Sequence, residues 1–316
     1  MSLLLTGASG FVGSALLHRL VATGQGLRAS YRVLPPTLPA GVECLAIPDF
    51  QSEGAWRDAL KGVKVLVHAA ARVHVMDEDA ADPLQEFRRI NVKGTLALGR
   101  WAAETGVQRF VFISSVKALG EGTLPGAPFF ADTPPAPEDA YGISKREAEQ
   151  GLQELAQETG MEVVIIRPPL VYGPGVKANF ASMMRWLFRG IPLPLGAVTH
   201  NRRSFVALDN LVDLIVVCIS HPAAANQTFL VSDGDDLSTV ELLQRMGRAL
   251  GRRVYLPVIP AFLLNWGACL TGKKDVYDRL CGSLQVDIRK NRQLLDWVPP
   301  LTVDEGLKRV AKEFQQ

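Results

Sequence analysis

The sequence predicts an α/β protein with a doubly wound parallel sheet and a smaller C-terminal lobe. Short apolar runs alternate with amphipathic stretches up to about Val171, a rhythm typical of repeated βα units with helices on both faces of a parallel sheet. A glycine-rich turn joins the first apolar run to the first helical stretch. After Gly173 the rhythm is lost and prolines accumulate, which indicates a smaller and irregular lobe.

The first strand and the first helix are separated by three glycines. Gly7, Gly10 and Gly13 follow a short apolar run, and leucines then recur at helical spacing. The glycines therefore lie where a strand passes into a helix N-terminus, which offers backbone N–H groups and the positive end of the helix dipole to a pyrophosphate. A tight turn without a ligand is the alternative, but this placement favours dinucleotide binding.

The end of the second strand predicts the choice of cofactor. NAD-preferring proteins carry an acid there, about 20 residues after the glycines, that binds both ribose hydroxyls. This chain has no acid there, and Arg32 can pair with a 2′-phosphate, helped by Arg28 or Ser30. NADP(H) is therefore favoured, with NAD(H) as the alternative, since Arg32 can also be a solvated charge. Asp49 and Phe50 are expected to border the adenine or to be loop residues without a ligand contact.

Tyr141 and Lys145 are four residues apart, so both side chains can lie on one face of a helix. A free tyrosine has a pKa of about 10 and is a poor base at neutral pH, but an adjacent ammonium favours the phenolate. The pair can then exchange protons with an alcohol or a carbonyl. Such pairs also occur by chance on surface helices, so this interpretation depends on the glycine motif as well.

Taken in chain order, these motifs resemble the extended short-chain dehydrogenase/reductase family, which contains sugar-nucleotide epimerases, dehydratases and ketoreductases. The resemblance covers nearly the whole chain, and its further matching segments are residues 68–71, 91–95, 114–115 and 167–174. It implies a Rossmann-like, dinucleotide-binding domain at residues 1–172 that carries the catalytic residues. Residues 173–316 would form mainly a substrate-binding lobe, parts of which can return to the sheet.

The resemblance implies that Ser115, Tyr141 and Lys145 are the catalytic residues. Ser115 is preferred to Ser114 because it lies five residues before a glycine, as in the family. Its hydroxyl would bind the substrate oxygen while Tyr141 transfers a proton. Lys145 would lower the tyrosine pKa and bind the ribose hydroxyls, and the nicotinamide would transfer hydride. Capping of the strand end is the alternative role of the two serines.

The resemblance also implies the remaining contacts of the cofactor. Asn91 is expected to fix the helix near the active site and support a proton relay through water, or to serve as a turn or cap. The residues expected to contact the dinucleotide are Gly7, Gly10, Phe11, Val12, Gly13, Arg32, Asp49, Phe50, Ala69, Ala70, Ala71, Asn91, Tyr141, Lys145 and Pro168.

Substrate contacts are expected from Ser115, Lys117, Asn179 and Arg203. In the family's dehydratases an acidic pair follows the serine or threonine, and its replacement here by Val116 and Lys117 disfavours a 4,6-dehydratase. Lys117 would point toward the substrate or toward solvent. Asn179 and Arg203 fall where related epimerases hold the diphosphate of a sugar nucleotide, and both side chains can donate hydrogen bonds to phosphate oxygens. An ordinary surface ion pair is the alternative for Arg203.

Within the family, residues 114–117, 167–180 and 231–239 are similar to bacterial UDP-N-acetylquinovosamine dehydrogenases, which are 4-ketoreductases of surface-polysaccharide synthesis. This similarity implies NADPH-dependent reduction of a UDP-linked 4-keto-6-deoxy amino sugar to UDP-N-acetylquinovosamine. A nucleotide-sugar 4-epimerase with tightly bound NAD is the alternative enzyme. A non-catalytic dinucleotide sensor is the alternative from another class, but it would not need the serine, tyrosine and lysine together.

Composition excludes other classes of function. A chain of 316 residues with 47% apolar content can bury a large core, and a formal charge of +2 without a polybasic tract makes nucleic acid a poor partner. The four cysteines are scattered, so no metal site is expected. The N-terminal segment lacks the basic leader of a secretory signal, and a cytoplasmic protein is therefore expected.

Two apolar segments bear on partners. Residues 261–270 are far fewer than the ~20 that a membrane-spanning helix needs, so a packed helix is expected, with contact to a membrane or to another subunit as the alternative. Ala148, Leu152, Leu155 and Ala156 form a stripe on the tyrosine helix. That stripe can pack inside the subunit or across a homodimer, so the oligomeric state stays open.

Overall fold

The computed structural model describes residues 2–24, 26–73, 82–270 and 274–314. The strands are β1 (Ser2–Thr6), β2 (Gly26–Tyr31), β3 (Val42–Ala46), β4 (Val65–His68), β5 (Arg109–Ile113), β6 (Glu162–Arg167), β7 (Leu170–Tyr172), β8 (Phe205–Ala207) and β9 (Thr228–Leu230). The longer helices are α1 (Phe11–Val21), α2 (Glu53–Leu60), α3 (Pro83–Phe87), α4 (Thr95–Glu104), α5 (Ala140–Thr159), α6 (Ala178–Phe188), α7 (Leu208–Ser220), α8 (Thr239–Leu250), α9 (Ala261–Leu270), α10 (Lys274–Cys281), α11 (Arg289–Leu295) and α12 (Val303–Phe314).

Within these residues, seven strands form one parallel sheet in the order β3-β2-β1-β4-β5-β6-β9. The order changes direction between β1 and β4, because successive units are added on opposite sides of β1. Such a switch point leaves a crevice at the carboxyl ends of the strands, where doubly wound sheets bind their ligands. The sheet confirms the predicted doubly wound α/β fold.

The sheet is buried on both faces because successive side chains of each strand point to opposite sides. Leu3 and Leu5 pack with helices α1 and α7 on one face, whereas Leu4 packs with α2, α4 and α5 on the other. All three leucines are at most 1% exposed. The apolar stripe of α5 also lies in this second core, since Ala148, Leu152 and Leu155 are buried within the chain.

The C-terminal lobe has a core of its own beside the carboxyl edge of the sheet. Strands β7 and β8 form a short parallel pair, and helices α6, α8 and α12 enclose its apolar side. Strand β9 comes from this part of the sequence but pairs with β6 in the main sheet. The division at residue 172 therefore stays a prediction about domains, although the chain crosses between the two cores more than once.

Asp233 and Tyr172 join the sheet to the lobe. The buried Tyr172 hydroxyl donates to Asp233 Oδ2 at 2.7 Å, and Asp233 Oδ1 accepts from the Ala207 amide at 2.8 Å and from Asn210 Nδ2 at 2.7 Å. Because Asp233 lies just beyond β9, one carboxylate holds β7, β8 and α7 against the end of the main sheet. Burial raises the pKa of this carboxyl, while its hydrogen bonds counteract that shift.

Helix α9 differs from the expected packed helix. Phe262 is 70% exposed and Trp266 is 66% exposed, so the expectation was wrong for this face of the helix. The physical reason is that its apolar residues encircle the helix, and packing on one neighbour cannot cover them all. No helix in the described part of the chain is long and apolar enough to cross a membrane.

We predict that Asp233→Ala lowers the free energy of unfolding by about 3 kcal/mol, because it leaves buried donors on β8 and α7 without an acceptor. Urea denaturation followed by circular dichroism measures this loss. Asp235→Ala is the matched control, since Asp235 makes a half-exposed ion pair with Arg245 and its removal should cost less than about 1 kcal/mol. Equal effects of the two changes would contradict the role of Asp233.

Candidate active site

Ser115 and Tyr141 meet at the carboxyl end of β5. Ser115 follows the strand and caps a short 3₁₀ turn, with its hydroxyl accepting from the Lys117 amide at 3.2 Å. Tyr141 lies in the first turn of α5, and the Ser115 hydroxyl interacts with its phenol. Ser114 faces away, because its hydroxyl donates to Glu149 at 2.6 Å in the core. The structure thus brings Ser115, and not Ser114, to the tyrosine.

A side-chain N-cap and a close contact of the backbone fix the position of Tyr141. Asp139 caps α5 by accepting from the Gly142 amide at 2.6 Å, and its other oxygen accepts from Lys117 Nζ. Gly142 packs so closely on the preceding turn that a Cβ at this position would lie 2.5 Å from the Lys117 carbonyl oxygen. A larger residue would push α5 away from the turn that carries Ser115. Glycine at this position therefore sets the distance between the serine and the tyrosine.

Lys145 is enclosed below the tyrosine. Its side chain is 2% exposed, and its Nζ donates to the Ile113 carbonyl at 2.8 Å and lies 4.5 Å above the Phe112 ring. Burial lowers the pKa of Lys145 to about 7, while the charge of Glu149 acts in the opposite direction. The lysine thus titrates near neutral pH and is aimed at the end of β5.

The phenol of Tyr141 has a raised pKa. Burial is the main cause, the Asp139 carboxylate adds to it, and the Ser115 hydroxyl partly offsets it. The net pKa of the phenol is thus above its ordinary value, with the Lys145 Nζ 6.0 Å from the centre of the tyrosine ring. A lowering of this pKa by Lys145 stays a prediction.

The glycine turn between β1 and α1 fits a diphosphate. A Cβ at Gly7, whose φ is +73°, would lie 2.6 Å from the Ala70 nitrogen, and one at Gly13 would lie 2.0 Å from the Gly7 oxygen. Gly10 is exposed at the N-cap of α1, which has no side-chain cap and no acid in its first turn. The first-turn N–H groups, including that of Phe11, are therefore available to an anion.

The loop after β4 borders this turn and is held by Asn91. Ala69, Ala70 and Ala71 are partly exposed there, and their small side chains leave the surface of the loop without bulky groups. Asn91, within a π-helical turn at Arg88–Gly94, accepts from the Arg72 amide at 2.8 Å and donates to the Arg72 carbonyl at 3.0 Å. Its amide also donates to the Ser144 hydroxyl on α5 at 3.1 Å.

Asn91 therefore connects the loop after β4 to the tyrosine helix, in agreement with the helix-fixing role expected for it. The proton relay stays a prediction.

His68 at the end of β4 has a structural role. Its ring nitrogens lie 2.7 Å from the Thr6 hydroxyl and 3.0 Å from the Thr95 hydroxyl, and the ring is buried. Burial, helped by the charge of Lys145, lowers the pKa of His68 to about 3. The imidazole is thus neutral at physiological pH and ties β1 and β4 to α4.

The residues predicted to lie near the adenine and its ribose differ in their exposure and in their partners. Arg32 is exposed just beyond β2, and within the described residues no carboxylate pairs with it. Arg28 is engaged elsewhere, because it pairs with Glu43 at 2.7 Å and donates to two backbone carbonyls. Asp49 accepts hydrogen bonds from its own turn, and Phe50 stacks on Trp56 with 5.4 Å between ring centres. Of these two arginines, Arg32 is therefore the one that no carboxylate of the described residues engages.

Two of the predicted substrate contacts, Lys117 and Arg203, both interact with Glu121. Lys117 pairs with Asp139 and with Glu121, the latter at 2.9 Å. Arg203 in the lobe is largely enclosed, and burial and the nearby Arg279 lower its pKa, whereas Glu121 raises it. Glu121 is therefore close enough to both cations to act on each.

The remaining predicted residues occupy the ends of elements. Pro168 follows β6, and its carbonyl accepts from the Val116 amide at 2.9 Å. Asn179 lies in the first turn of α6, but its side chain falls outside the described residues. Arg202, which precedes Arg203, forms a partly exposed ion pair with Glu241 at 2.9 Å.

Sequence reasoning missed several residues that hold this site together. Glu149 is fully buried and accepts from Arg167 Nε at 2.8 Å and from Arg167 Nη2 at 2.7 Å. Asp139 was missed as well, although an aspartate just before a predicted helix is a typical N-cap. Glu149 gave a weaker signal, since it lies four residues after Lys145 on the same helical face. Arg279 gave none.

Comparisons with known proteins agree with this geometry. The NAD dependent epimerase/dehydratase family matches residues 3–232. A Vibrio cholerae protein named UDP-glucose 4-epimerase is 48% identical and aligns with 100% of this chain and 96% of its own length. The Escherichia coli O157:H7 N-acetyl-alpha-D-glucosaminyl-diphospho-ditrans,octacis-undecaprenol 4-epimerase is 28% identical, with 98% and 94% covered.

A solved structure shows the same fold. UDP-glucose 4-epimerase from Thermotoga maritima, determined with UDP-glucose, aligns with a TM-score of 0.79 and 22% identity. The alignment covers 100% of this chain and 99% of that one. The similarity therefore extends over both the sheet and the lobe.

We predict that the buried Lys145 makes stability rise with pH. The folded pKa of Lys145 is about 7 and the unfolded value is about 10.5, so between these values the unfolded chain binds more protons. Between pH 7 and pH 10, the free energy of unfolding of the wild type should therefore rise relative to that of Lys145→Met. Urea denaturation across this range measures the difference.

Lys64→Met is the matched control, because Lys64 is exposed at the opposite edge of the sheet. Its difference from the wild type should stay constant with pH. A constant difference for Lys145→Met as well would contradict the lowered pKa of Lys145.

Proposed function

The chain belongs to the NAD-dependent epimerase/dehydratase family, and from this premise we propose that it interconverts C4 epimers of a UDP-linked sugar with bound NAD. The observation that carries the proposal is the meeting of Ser115 and Tyr141 above the buried Lys145, at the sheet edge that also carries the glycine turn. The 48% identity to a protein named UDP-glucose 4-epimerase supports an epimerase.

This proposal prefers the 4-epimerase, which was the alternative in the sequence analysis, to the reduction that the sequence analysis expected. Similarity of short segments favoured the ketoreductases, whereas the comparison over the full chain favours an epimerase. Reduction of a UDP-linked 4-keto sugar to UDP-N-acetylquinovosamine is retained as the second candidate. The exposed Arg32, with no acid at the end of β2, supports it because an NADPH-dependent reductase needs a partner for the 2′-phosphate.

The residues present fit a dinucleotide. The first-turn amides of α1 would hold the diphosphate, the loop of Ala69 to Ala71 would border the ring system, and Lys145 would bind the ribose hydroxyls. When bound, NAD supplies reversible hydride transfer at the sugar carbon. The structure supports this placement by the close packing of Gly7 on Ala70, which keeps side chains out of the turn.

Tyr141 is proposed to exchange a proton with the C4 oxygen of the sugar. Because burial raises its pKa, the phenol is protonated at neutral pH and can donate to a C4 carbonyl. The Ser115 hydroxyl hydrogen-bonds the same oxygen and holds it near the phenol. Removal of the C4 hydroxyl proton requires the phenolate, which Ser115 favours directly.

The lobe is proposed to hold the nucleotide diphosphate. Arg203 presents a guanidinium whose charge is only partly balanced, because Arg279 repels it and Glu121 attracts it. A diphosphate would compensate both arginines with bidentate hydrogen bonds. Asn179 is proposed as a further donor to the diphosphate. Lys117, in the turn after β5, is proposed as a cation near the carboxyl ends of the strands.

The proposed function is tested with UDP-glucose, UDP-galactose and UDP-N-acetylglucosamine without added dinucleotide. Proton NMR of the anomeric signals should show the same mixture of C4 epimers from either side, and denatured enzyme should release NAD. One-to-one oxidation of added NADPH by a UDP-linked 4-keto-6-deoxy amino sugar, with no epimerisation, would instead establish the reductase.

We predict that Tyr141→Phe lowers turnover by roughly 10²–10⁴-fold, because it removes the proton-transferring hydroxyl and keeps the ring. Steady-state kinetics measures turnover, and titration should show unchanged dinucleotide affinity. Tyr255→Phe is the matched control, since it removes an exposed hydroxyl away from the site. Near-normal turnover of Tyr141→Phe would rule out this tyrosine as the main acid–base group.

We predict that Arg32→Asp shifts dinucleotide affinity away from NADP by about tenfold or more relative to NAD, because a carboxylate repels the 2′-phosphate. Fluorescence titration of both cofactors measures the ratio. Arg100→Asp, on the exposed side of α4, controls for the change in net charge. An unchanged ratio would mean that Arg32 does not read the ribose.

A further inference from the structure

Helix α9 presents three large apolar side chains to solvent. Phe262, Leu263 and Trp266 are 70%, 46% and 66% exposed. They lie at helical spacings of three and four residues, so they form one continuous stripe. Exposed apolar groups of this size normally mark a surface that contacts another molecule.

Two further segments also carry exposed apolar groups, and the first of them leads directly into α9. Tyr255 and Val258, just before α9, are 60% and 74% exposed. The Tyr255 carbonyl accepts from the Leu193 amide at 3.0 Å, which places the segment after α6 alongside. Ile191 in that segment and Trp186 in the last turns of α6 are both half-exposed, and the Ile191 amide donates to the Trp186 carbonyl at 3.0 Å.

The same segments carry only positive charge. Residues 163–208 and 242–270 contain no aspartate or glutamate. Arg189 and Arg253 are exposed beside the apolar groups, and Arg252 stacks over the Phe188 ring at 4.9 Å. We call the surface formed by Trp186, Arg189, Ile191, Arg253, Tyr255, Val258, Phe262, Leu263 and Trp266 the basic apolar face.

We propose that the basic apolar face docks on an anionic lipid surface. Tryptophan, tyrosine and phenylalanine partition into the headgroup region of a bilayer, and arginines beside them are attracted to anionic lipids. Helix α9 has only 10 residues, so it lies in the plane of the interface and does not span it.

The charge pattern disfavours a second copy of the chain as the occupant. A twofold contact would bring the arginines of two such faces together, and residues 163–208 and 242–270 contain no carboxylate to compensate them. Asp278 on α10, which packs against α9, is already paired with Lys274 at 2.7 Å. A lipid surface supplies the missing negative charge as well as the apolar depth. It also requires no matching shape, which suits a face made from three separate segments.

The test is co-sedimentation of the full-length protein with vesicles of phosphatidylethanolamine and phosphatidylglycerol, and with vesicles of phosphatidylcholine alone. The wild type should bind the anionic vesicles, and raising the salt concentration should weaken that binding. Phe262→Ser combined with Trp266→Ser should lower the partition coefficient about tenfold or more. Arg189→Glu combined with Arg253→Glu should abolish the preference for anionic vesicles.

Leu38→Ser combined with Val298→Ser is the matched control, because both residues are exposed apolar groups outside the face. This control should bind vesicles as the wild type does. Dinucleotide titration and thermal unfolding check that each variant is folded. Absence of wild-type binding to anionic vesicles, or binding that survives the Phe262 and Trp266 changes, would overturn the proposal.

Sedimentation velocity distinguishes the other occupant. A wild-type dimer that dissociates in the Phe262 and Trp266 variant would assign the face to subunit contact and overturn docking on lipid. An unchanged sedimentation coefficient, together with lost vesicle binding, supports the proposal.

Discussion

The buried ion pair between Glu149 and Arg167 is the interaction on which the candidate site depends. Glu149 belongs to α5 and Arg167 ends β6, so their two hydrogen bonds join the tyrosine helix to the sheet. Ser114 adds the end of β5, and the third Arg167 nitrogen, Nη1, donates to the Ala131 carbonyl at 3.0 Å. Breaking such a pair by removing one partner costs about 3–5 kcal/mol, because the other charge stays buried.

The same ion pair governs the electrostatics of the proposed chemistry. Burial lowers the pKa of Lys145 and the charge of Glu149 opposes that shift, while burial, helped by the charge of Lys145, lowers the pKa of His68. Proton occupancy at the sheet edge is thus set by a chain of buried groups. The pKa of Tyr141 is raised mainly by the burial of its own phenol. The proposed proton exchange at Tyr141 therefore depends on the packing that buries its phenol, and the Glu149–Arg167 pair contributes to that packing by holding α5 against the sheet.

The sequence predicted the fold and the principal groups because their signals are local. A strand, a glycine turn and a helix follow one another within the first 21 residues, and Tyr141 and Lys145 share one helical turn. The supporting residues could not be assigned from local spacing, because Glu149 and Arg167 meet only after β6 has joined the sheet. The raised pKa of Tyr141 follows from tertiary burial, and the exposure of Phe262 and Trp266 on α9 follows from how the described residues pack. These depend on packing, which no single segment encodes.

Strand β9 has a consequence for how the chain acquires its structure during synthesis. It completes the main sheet from residues Thr228–Leu230, whereas its partner β6 is finished at Arg167. A nascent chain that has emerged only as far as the lobe presents β6 as an open edge, with unpaired backbone groups that can recruit foreign strands. Asp233, just beyond β9, is also missing from such a chain, so the β7–β8 pair lacks its anchor at the same stage. Truncated or stalled chains should accordingly depend on chaperones far more than the finished protein does.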